Sequence, residues 1–342
     1  MTHIEGKRTL VTGGAGFIGS HLVDALLERG AGEVIVIDNL VNGSKHNLAQ
    51  ALHDERVTFV EADVRDGDNT RRLLEEVDVV FHLACLGVRH SLHAPRENHE
   101  VNATMTLELL EWAMSAEVAR LVHVSSSEVY GTAQYAPMDE GHPTHPETVY
   151  GAAKLAGEAY ARAAFRTHGF PTIVARPFNA YGPRSHFEGD SGEVLPRTIV
   201  RTLAGERPII FGDGAQSRDF THVTDTARGI VALAESDDAI GQTVNIGYGS
   251  DITINELARI VLDAAGRGDL SPIHLDPRPG DVRQLLADST RMRELTGYTP
   301  RVTFDEGARS LYEWFASLDV APAEMLARIE DRNWSVGEDS HG

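Results

Sequence analysis

Tyr150 and Lys154 stand four residues apart in Tyr150-Gly151-Ala152-Ala153-Lys154, and Ser125-Ser126-Ser127-Glu128 lies just upstream. On a helix that spacing puts both side chains on one face, one turn apart. The run from Gly151 to Ala161 is rich in helix formers. A lysine ammonium beside a phenol favours the phenolate and lowers the tyrosine pKa. A tyrosine tuned in that way can take a proton from an alcohol while a hydride leaves the same carbon. The pair alone is a weak signal, because Tyr-x-x-x-Lys arises by chance on many solvated helix faces. The N-terminus supplies what such chemistry also needs, a site for a hydride acceptor.

Arg8 to Thr12 reads as a short buried strand, Gly13-Gly14-Ala15-Gly16-Phe17-Ile18-Gly19 follows at once, and Ser20 to Leu27 reads as a helix. Gly13, Gly16 and Gly19 form Gly-x-x-Gly-x-x-Gly, a variant of the dinucleotide fingerprint. Such glycines allow a tight turn, close approach of a pyrophosphate and close helix–strand packing. The helix N-terminus, with Phe17 and Ile18, then offers free amides and a favourable dipole to the pyrophosphate. A second strand, Glu33 to Ile37, ends in Asp38, which lies 19 residues after Gly19. That is where an acid for the ribose hydroxyls belongs. An acid there repels a 2′-phosphate, so the expected cofactor is NAD rather than NADP.

The 342 residues exceed the size at which one core usually stays single. The chain is 42% hydrophobic and 24% charged, as in ordinary soluble globular proteins. Its net charge of −20, from 51 acids against 31 bases, argues against nucleic acid and anionic membrane as partners. An anionic substrate would need its own local basic residues. One cysteine, Cys85, permits no internal disulfide and fits a reducing cytoplasm; it reads as a small core residue. No signal-peptide pattern and no membrane-length apolar run is present. The histidines have no metal-ligand spacing, so no metal is expected.

Further strands are expected at Val57–Val60, Val77–Ala84, Leu121–Ser125 and Pro171–Ala175. Asp63-Val64 ends the first of these, where an acid can reach an adenine or cap the next helix. His82 reads as structural, while Leu83 and Ala84 suit a cofactor lying across the strand tips. A long helix is expected over Glu97 to Ser115 with Asn102 inside it. Alternation of this kind gives an α/β, doubly wound parallel sheet. Beyond Arg176 the pattern becomes turn-rich, and Val244-Asn245-Ile246 is expected to return to the main sheet. Arg218, Arg278 and Arg283 stand in polar, loop-like surroundings and are of a type suited to phosphate. A short helix is expected over Ala323–Ile329.

In this order and spacing, the set of motifs resembles the extended short-chain dehydrogenase/reductase family, in its nucleotide-sugar epimerase and dehydratase branch. The resemblance is carried by Thr12 to Gly19, Asp38, Asp63-Val64, His82-Leu83-Ala84, Ser125 to Gly131, Tyr150 to Lys154, Arg176-Pro177-Phe178-Asn179, Arg218-Asp219-Phe220 and Arg278-Pro279-Gly280-Asp281. It implies a Rossmann-type NAD domain over 1–178 with a return segment near 218–248. A smaller C-terminal α/β substrate-binding domain over 179–320 and a tail over 321–342 would follow. It implies Tyr150 as base for a sugar C4 hydroxyl, Lys154 on the nicotinamide ribose and Ser126 on the C4 oxygen. Gly13, Gly16, Phe17, Ile18, Gly19, Asp38, Asp63, Val64, Leu83, Ala84 and Asn102 would line the cofactor. Ser127, Asn179, Arg218, Arg278 and Asp281 would hold a nucleotide-diphosphate sugar. Relatives pair through the Tyr150 helix and the Glu97–Ser115 helix, so a homodimer is expected; alternatively the alanines of the Tyr150 helix pack on the protein's own sheet.

Oxidation at C4 acidifies the proton at C5, and three outcomes follow. Epimerisation needs only rotation of the sugar before hydride return. Elimination of water across C5–C6 needs a base near C5 and an acid near the C6 oxygen. A uronic acid can instead lose carbon dioxide. Glu128 stands where many 4-epimerases of this resemblance carry a small residue and where dehydratases carry Glu, which makes it a candidate C5 base. Ser127 departs from the Asp that serves as acid in hexose 4,6-dehydratases of the dTDP-glucose type, and decarboxylases also carry Glu at position 128. The expectation is a dehydratase, with 4-epimerase and decarboxylase as alternatives. A non-catalytic NAD(P)-binding member would lack Tyr150 or Lys154.

Overall fold

A computed structural model of the chain describes residues 3–189, 192–277 and 282–331. The N-terminal part alternates strands and helices in the order β1 (Arg8–Thr12), α1 (Phe17–Glu28), β2 (Glu33–Asp38), β3 (Val57–Glu61), α2 (Gly67–Leu74) and β4 (Val79–His82). Short α3 (His90–His93) and α4 (Pro95–His99) then lead through a π-helical turn (Glu100–Thr104) into α5 (Met105–Ser115). Next come β5 (Arg120–Val124), α6 (Val149–His168) and β6 (Thr172–Pro177). The strands read as near-continuous apolar runs because both faces of a parallel sheet are covered.

β7 (Ala180–Tyr181), α7 (Val194–Leu203), β8 (Ile209–Phe211), β9 (Ser217–Asp219) and β10 (Thr221–His222) follow, then α8 (Val223–Glu235) and β11 (Thr243–Ile246). The chain continues through β12 (Asp251–Thr253), α9 (Ile254–Ala264), β13 (Ile273–Leu275), β14 (Gln284–Leu285), α10 (Thr290–Thr296), α11 (Phe304–Ser317) and α12 (Pro322–Ala327).

Among the described residues the main sheet has seven strands, all parallel, in the order β11-β6-β5-β4-β1-β2-β3. The order reverses between β1 and β4, and a crevice for a ligand opens at the carboxyl ends of strands at such a point. Period-two alternation sends Val11, Val36, Phe81, Val122 and Ile173 to a core shared with α1 and α8. Leu10, Ile35, Val80, Leu121 and Val174 face the opposite way, against α5 and α6. Val244 to Ile246 joins the sheet beside β6, as its apolar pattern predicts. A separate apolar cluster joins α7, α9 and α11 through Leu195, Ile199, Leu257, Val261, Leu311 and Phe315. A smaller one, with Val129, Tyr130, Met138, Phe178, Leu285 and Ala287, lies where β14 meets the segments after β5 and β6.

Two expectations need correction. The helix expected over Glu97–Ser115 is interrupted by the π-helical turn at Asn102, which forms a hydrogen-bonded knot: its Oδ1 accepts from Leu86 N, and its Nδ2 donates to Leu86 O and Asn98 Oδ1. The C-terminal helix covers Pro322–Ala327 rather than Ala323–Ile329, with proline in its first turn, where its missing N–H costs nothing. No described helix is long and apolar enough to cross a membrane.

Candidate active site

At the switch point, Thr12 ties the tips of β1 and β4 together. Its Oγ1 accepts from Leu83 N at 3.2 Å and Ala84 N at 3.1 Å and shares a 2.8 Å hydrogen bond with His82 Nδ1. His82 also bonds Thr106 through Nε2 at 3.0 Å, and burial holds its pKa down to about 3. It is a structural group, as its strand position predicts. Leu83 is a core residue, and the Ala84 backbone meets the glycine loop.

The glycine loop matches a dinucleotide. A methyl group on Gly19 would sit 2.1 Å from Gly13 O, so only glycine lets α1 start this close to β1. Gly16 is the N-cap of α1 and no side chain caps the first turn, which leaves the amides of Phe17 and Ile18 without a side-chain acceptor. Asp38 closes the other side: Oδ2 accepts from Ala15 N at 2.9 Å and Oδ1 from Leu40 N at 2.8 Å. One carboxylate thus fixes the loop and keeps further lone pairs for ribose hydroxyls. Burial raises the Asp38 pKa, and the two backbone bonds oppose the rise. These residues fit NAD, which supplies a hydride acceptor when bound.

Asp63 stands at the end of the segment after β3. It pairs with Arg65 and accepts from Asn39 Nδ2 at 2.9 Å; the Arg65 hydrogen bonds bring its pKa to about 2. Asp66, not Asp63, caps α2. The Val64 side chain is in the core, and its carbonyl accepts from Thr70. The Asn102 amide is engaged by Leu86 and Asn98, so it shapes the Leu86 turn beside β4.

Tyr150 and Lys154 lie on the first turns of α6, which Thr148 caps by accepting from Gly151 N at 3.1 Å. A methyl group on Gly151 would sit 2.7 Å from Glu128 O, so glycine brings the helix start against the Glu128 backbone. Ser126 begins the turn Ser127–Val129 with its Oγ accepting from Glu128 N at 3.2 Å. Ser126 lies beside Tyr150 and works to lower the pKa of its phenol. Ser127 is buried in the turn. The Lys154 Nζ is buried and donates to Val124 O at 2.6 Å.

The expected depression of the Tyr150 pKa is not what the folded chain produces. Burial raises it, the neighbouring Cys85 sulfur and Glu128 carboxylate raise it further, and Ser126 only partly opposes them. The cost of desolvating a phenolate is the largest influence here. Burial likewise lowers the Lys154 pKa, and its neighbours Cys85 and Glu158 oppose the fall. Cys85 is therefore not a core residue. It is half-buried and faces Tyr150 and Lys154.

Glu128 is half-buried; burial raises its pKa, and Arg218 and Arg89 pull it down. Arg89 also faces Glu193, at the N-terminus of α7, whose carboxyl burial pushes up to about 8. Sequence reasoning missed Arg89 and Glu193. Arg89 was legible, since it follows the small-residue tip of β4 by a few residues; Glu193 comes from a distant helix and left no local signal. Arg218 lies on β9 and donates to Ser217 O at 2.8 Å. The Asn179 Nδ2 is buried with no acceptor among the described residues, as a group awaiting a polar ligand would be. Arg283 instead makes an exposed pair with Asp213 at 3.0 Å. Arg278 and Asp281 lie outside the described residues. No cluster of metal ligands occurs among the described residues.

Residues 9–247 match the model of the NAD dependent epimerase/dehydratase family. The chain is 39% identical over 311 residues to the UDP-glucose 4-epimerase of Mycolicibacterium smegmatis, covering 90% of this chain and 98% of that protein. It is 35% identical over 314 residues to UDP-glucuronic acid decarboxylase 5 of Arabidopsis thaliana, covering 90% of this chain and 89% of the relative. The crystal structure of DesIV, a dTDP-glucose 4,6-dehydratase from Streptomyces venezuelae with NAD bound, superposes with a TM-score of 0.84 at 35% identity, covering 90% of this chain and 97% of that one. With its switch-point crevice, glycine loop, Asp38 and Tyr150–Lys154 helix, this chain is a member of the NAD dependent epimerase/dehydratase family, and NAD is its cofactor.

Proposed function

We propose that the protein is a nucleotide-sugar dehydratase working through a 4-keto intermediate. Tyr150 takes the proton of the C4 hydroxyl, Ser126 holds the C4 oxygen, and Lys154 holds the nicotinamide ribose. Arg218 and Asn179 hold the diphosphate portion, with Arg278 and Asp281 assigned to it by the family motif. Glu128 then removes the C5 proton that the ketone has acidified. The observation that carries this reading is Glu128 itself. It is a half-buried carboxylate on the turn begun by Ser126, packed against the start of the Tyr150 helix and facing Arg218 and Arg89.

Elimination also needs an acid for the C6 oxygen, and Ser127 cannot serve as one. Glu193 supports the missing role, because burial keeps its carboxyl protonated at neutral pH and it faces the same Arg89 as Glu128. A second reading, 4-epimerase, is favoured by the Mycolicibacterium smegmatis relative. The two separate on product mass. NAD-loaded enzyme is incubated with UDP-, GDP-, CDP- and dTDP-sugars and read by mass spectrometry. Loss of one water supports elimination; unchanged mass with C4 inverted supports epimerisation; loss of carbon dioxide from a uronic acid supports the decarboxylase.

The quaternary proposal is a homodimer through α5 and α6. Ala152, Ala159 and Ala163 are exposed, with Ala156 half-buried, along one stripe of α6, and Leu107 of α5 is exposed as well. These alanines leave a small-residue outer face free for close helix packing, while Ala153, Ala161 and Ala164 turn inward. A monomeric mass by light scattering at micromolar concentration would rule the dimer out.

A further inference from the structure

We propose that Glu158 is a positioning residue for the Tyr150–Lys154 pair, a single buried carboxylate that locks α6 to the tips of the strands leading into Ser126 and Asn179. Tyr150, Lys154 and Glu158 recur every four residues and share one stripe of α6. Glu158 has no exposed surface. Its Oε1 accepts from Ser125 Oγ at 2.7 Å and from Arg176 Nε at 2.8 Å. Its Oε2 accepts from Arg176 Nη2 at 2.6 Å and from Arg162 Nη1 at 2.9 Å. Ser125 is the residue before Ser126, and Arg176 lies three before Asn179.

The lock extends across the sheet. The Arg176 guanidinium lies 4.7 Å from the Tyr130 ring centroid, and Tyr130 Oη donates to Asn245 Oδ1 at 2.7 Å on β11. Arg162 reaches Thr243 Oγ1 at 3.3 Å on the same strand. Burial excludes water from Glu158, Ser125, Arg176, Tyr130 and Asn245, so these groups have no solvent alternative and one arrangement is specified. The Lys154–Val124 bond spans the joint that Glu158 closes, and Ser126 lies beside Tyr150 across it. Misplacement of a reacting group by about 1 Å can cost on the order of 10²-fold in rate.

Glu158 also acts on Lys154 through charge. The groups facing Lys154 are Cys85, Tyr150 one turn before it, Glu158 one turn after it, and the buried rings of His82 and His123 from the sheet. Both rings are held neutral by burial, so they contribute no opposing charge at neutral pH. Burial disfavours the Lys154 ammonium, and Glu158 favours it. Arg176 and Arg162 keep Glu158 itself ionised, and burial opposes them.

The inference rests on Tyr150 and Lys154 being the catalytic pair, and the test separates the two claims. NAD-bound enzyme is mixed with UDP-glucose, UDP-glucuronic acid and dTDP-glucose in turn, and reduction of the bound NAD is followed by absorbance across pH. In Glu158→Gln the rate is expected to fall about 10–100-fold, with half-saturation by the sugar nucleotide unchanged and the alkaline limb moved to lower pH. Arg176→Lys, which keeps the charge and Glu158 but loses the bidentate fit, should lose less rate than Glu158→Gln. A wild-type rate in Glu158→Gln, or a loss with an unmoved limb in folded protein, overturns the proposal. Where Glu158→Gln does not fold, Ser125→Ala decides: it removes only one bond, and a wild-type rate in it is the overturning result. A second measurement needs no substrate. The Lys154 Nζ resonance of nitrogen-labelled enzyme should titrate at lower pH in Glu158→Gln, and an unmoved midpoint overturns the proposal. A wild-type rate in Tyr150→Phe would instead remove the catalytic reading and leave the NMR result standing.

Discussion

The Lys154 ammonium donates to the Val124 carbonyl at 2.6 Å, so the helix that carries Tyr150 is bolted to the last residue of β5, two residues before Ser126. Desolvation holds the Tyr150 pKa above the ordinary phenol value in the protein alone, and α6 sets its hydroxyl beside Ser126.

Tyr150→Phe removes the proton acceptor and leaves the cofactor cradle intact. Reduction of bound NAD by a sugar nucleotide should fall by about 10²–10⁴-fold, with NAD content unchanged on denaturation and chromatography. Equal loss of NAD would show the phenol to be a cofactor anchor instead.

Asp38→Asn tests the cradle. The carboxylate makes two backbone hydrogen bonds, to Ala15 and Leu40, and bonds to a charged group contribute about 1.5–3 kcal/mol each. The variant should lose NAD on gel filtration where the wild type retains it. Full retention would place the loop's order elsewhere.

Glu193 gives a pH dependence with a definite sign. Burial pushes its pKa up from the ordinary carboxylate range to about 8. The protonated carboxyl is present below that pH and is lost as pH rises through it. Elimination should therefore decline above about pH 8, while NAD reduction by the same sugar nucleotide, measured in parallel, does not share that limb. In Glu193→Gln the elimination step should be slow at every pH, without the limb. A wild-type elimination profile in that variant would assign the acid to another group.

The buried pair of Glu158 and Arg176 also bears on stability. Removing one partner of such a pair typically costs about 3–5 kcal/mol, so Arg176→Ala should be destabilised by about that amount in urea unfolding. A loss below about 1 kcal/mol would mean that Glu158 is satisfied by Ser125 and Arg162 alone.

Much of this was legible in the sequence, for physical reasons that differ by residue. Buried parallel strands write themselves as apolar runs, so β1, β2 and β11 were readable, and the glycines and Asp38 announce the cofactor because close approach and ribose contact leave few alternatives. Tyr150 and Lys154 were readable because helix periodicity is local. Cys85 misled, because its burial looks like a core position from sequence, whereas it faces Lys154 across the sheet edge. The bonds of the Asn102 amide to Leu86 and Asn98 are set by the π-helical turn, which sequence periodicity does not show. Glu193 and Glu128 face the same Arg89 only through the fold, from segments more than 60 residues apart. The Tyr150 pKa was misjudged because spacing reveals the lysine but not the desolvation of the phenol.

The most direct test of the account is turnover in heavy water by NAD-loaded wild type and Glu128→Gln, read by mass spectrometry and NMR at C4, C5 and C6. The wild type should give a product lighter by one water with deuterium at C5. Glu128→Gln should still reduce bound NAD but should lose most of the C5 exchange and the elimination. A wild-type product of unchanged mass, inverted at C4 and without deuterium at C5, would contradict the dehydratase assignment.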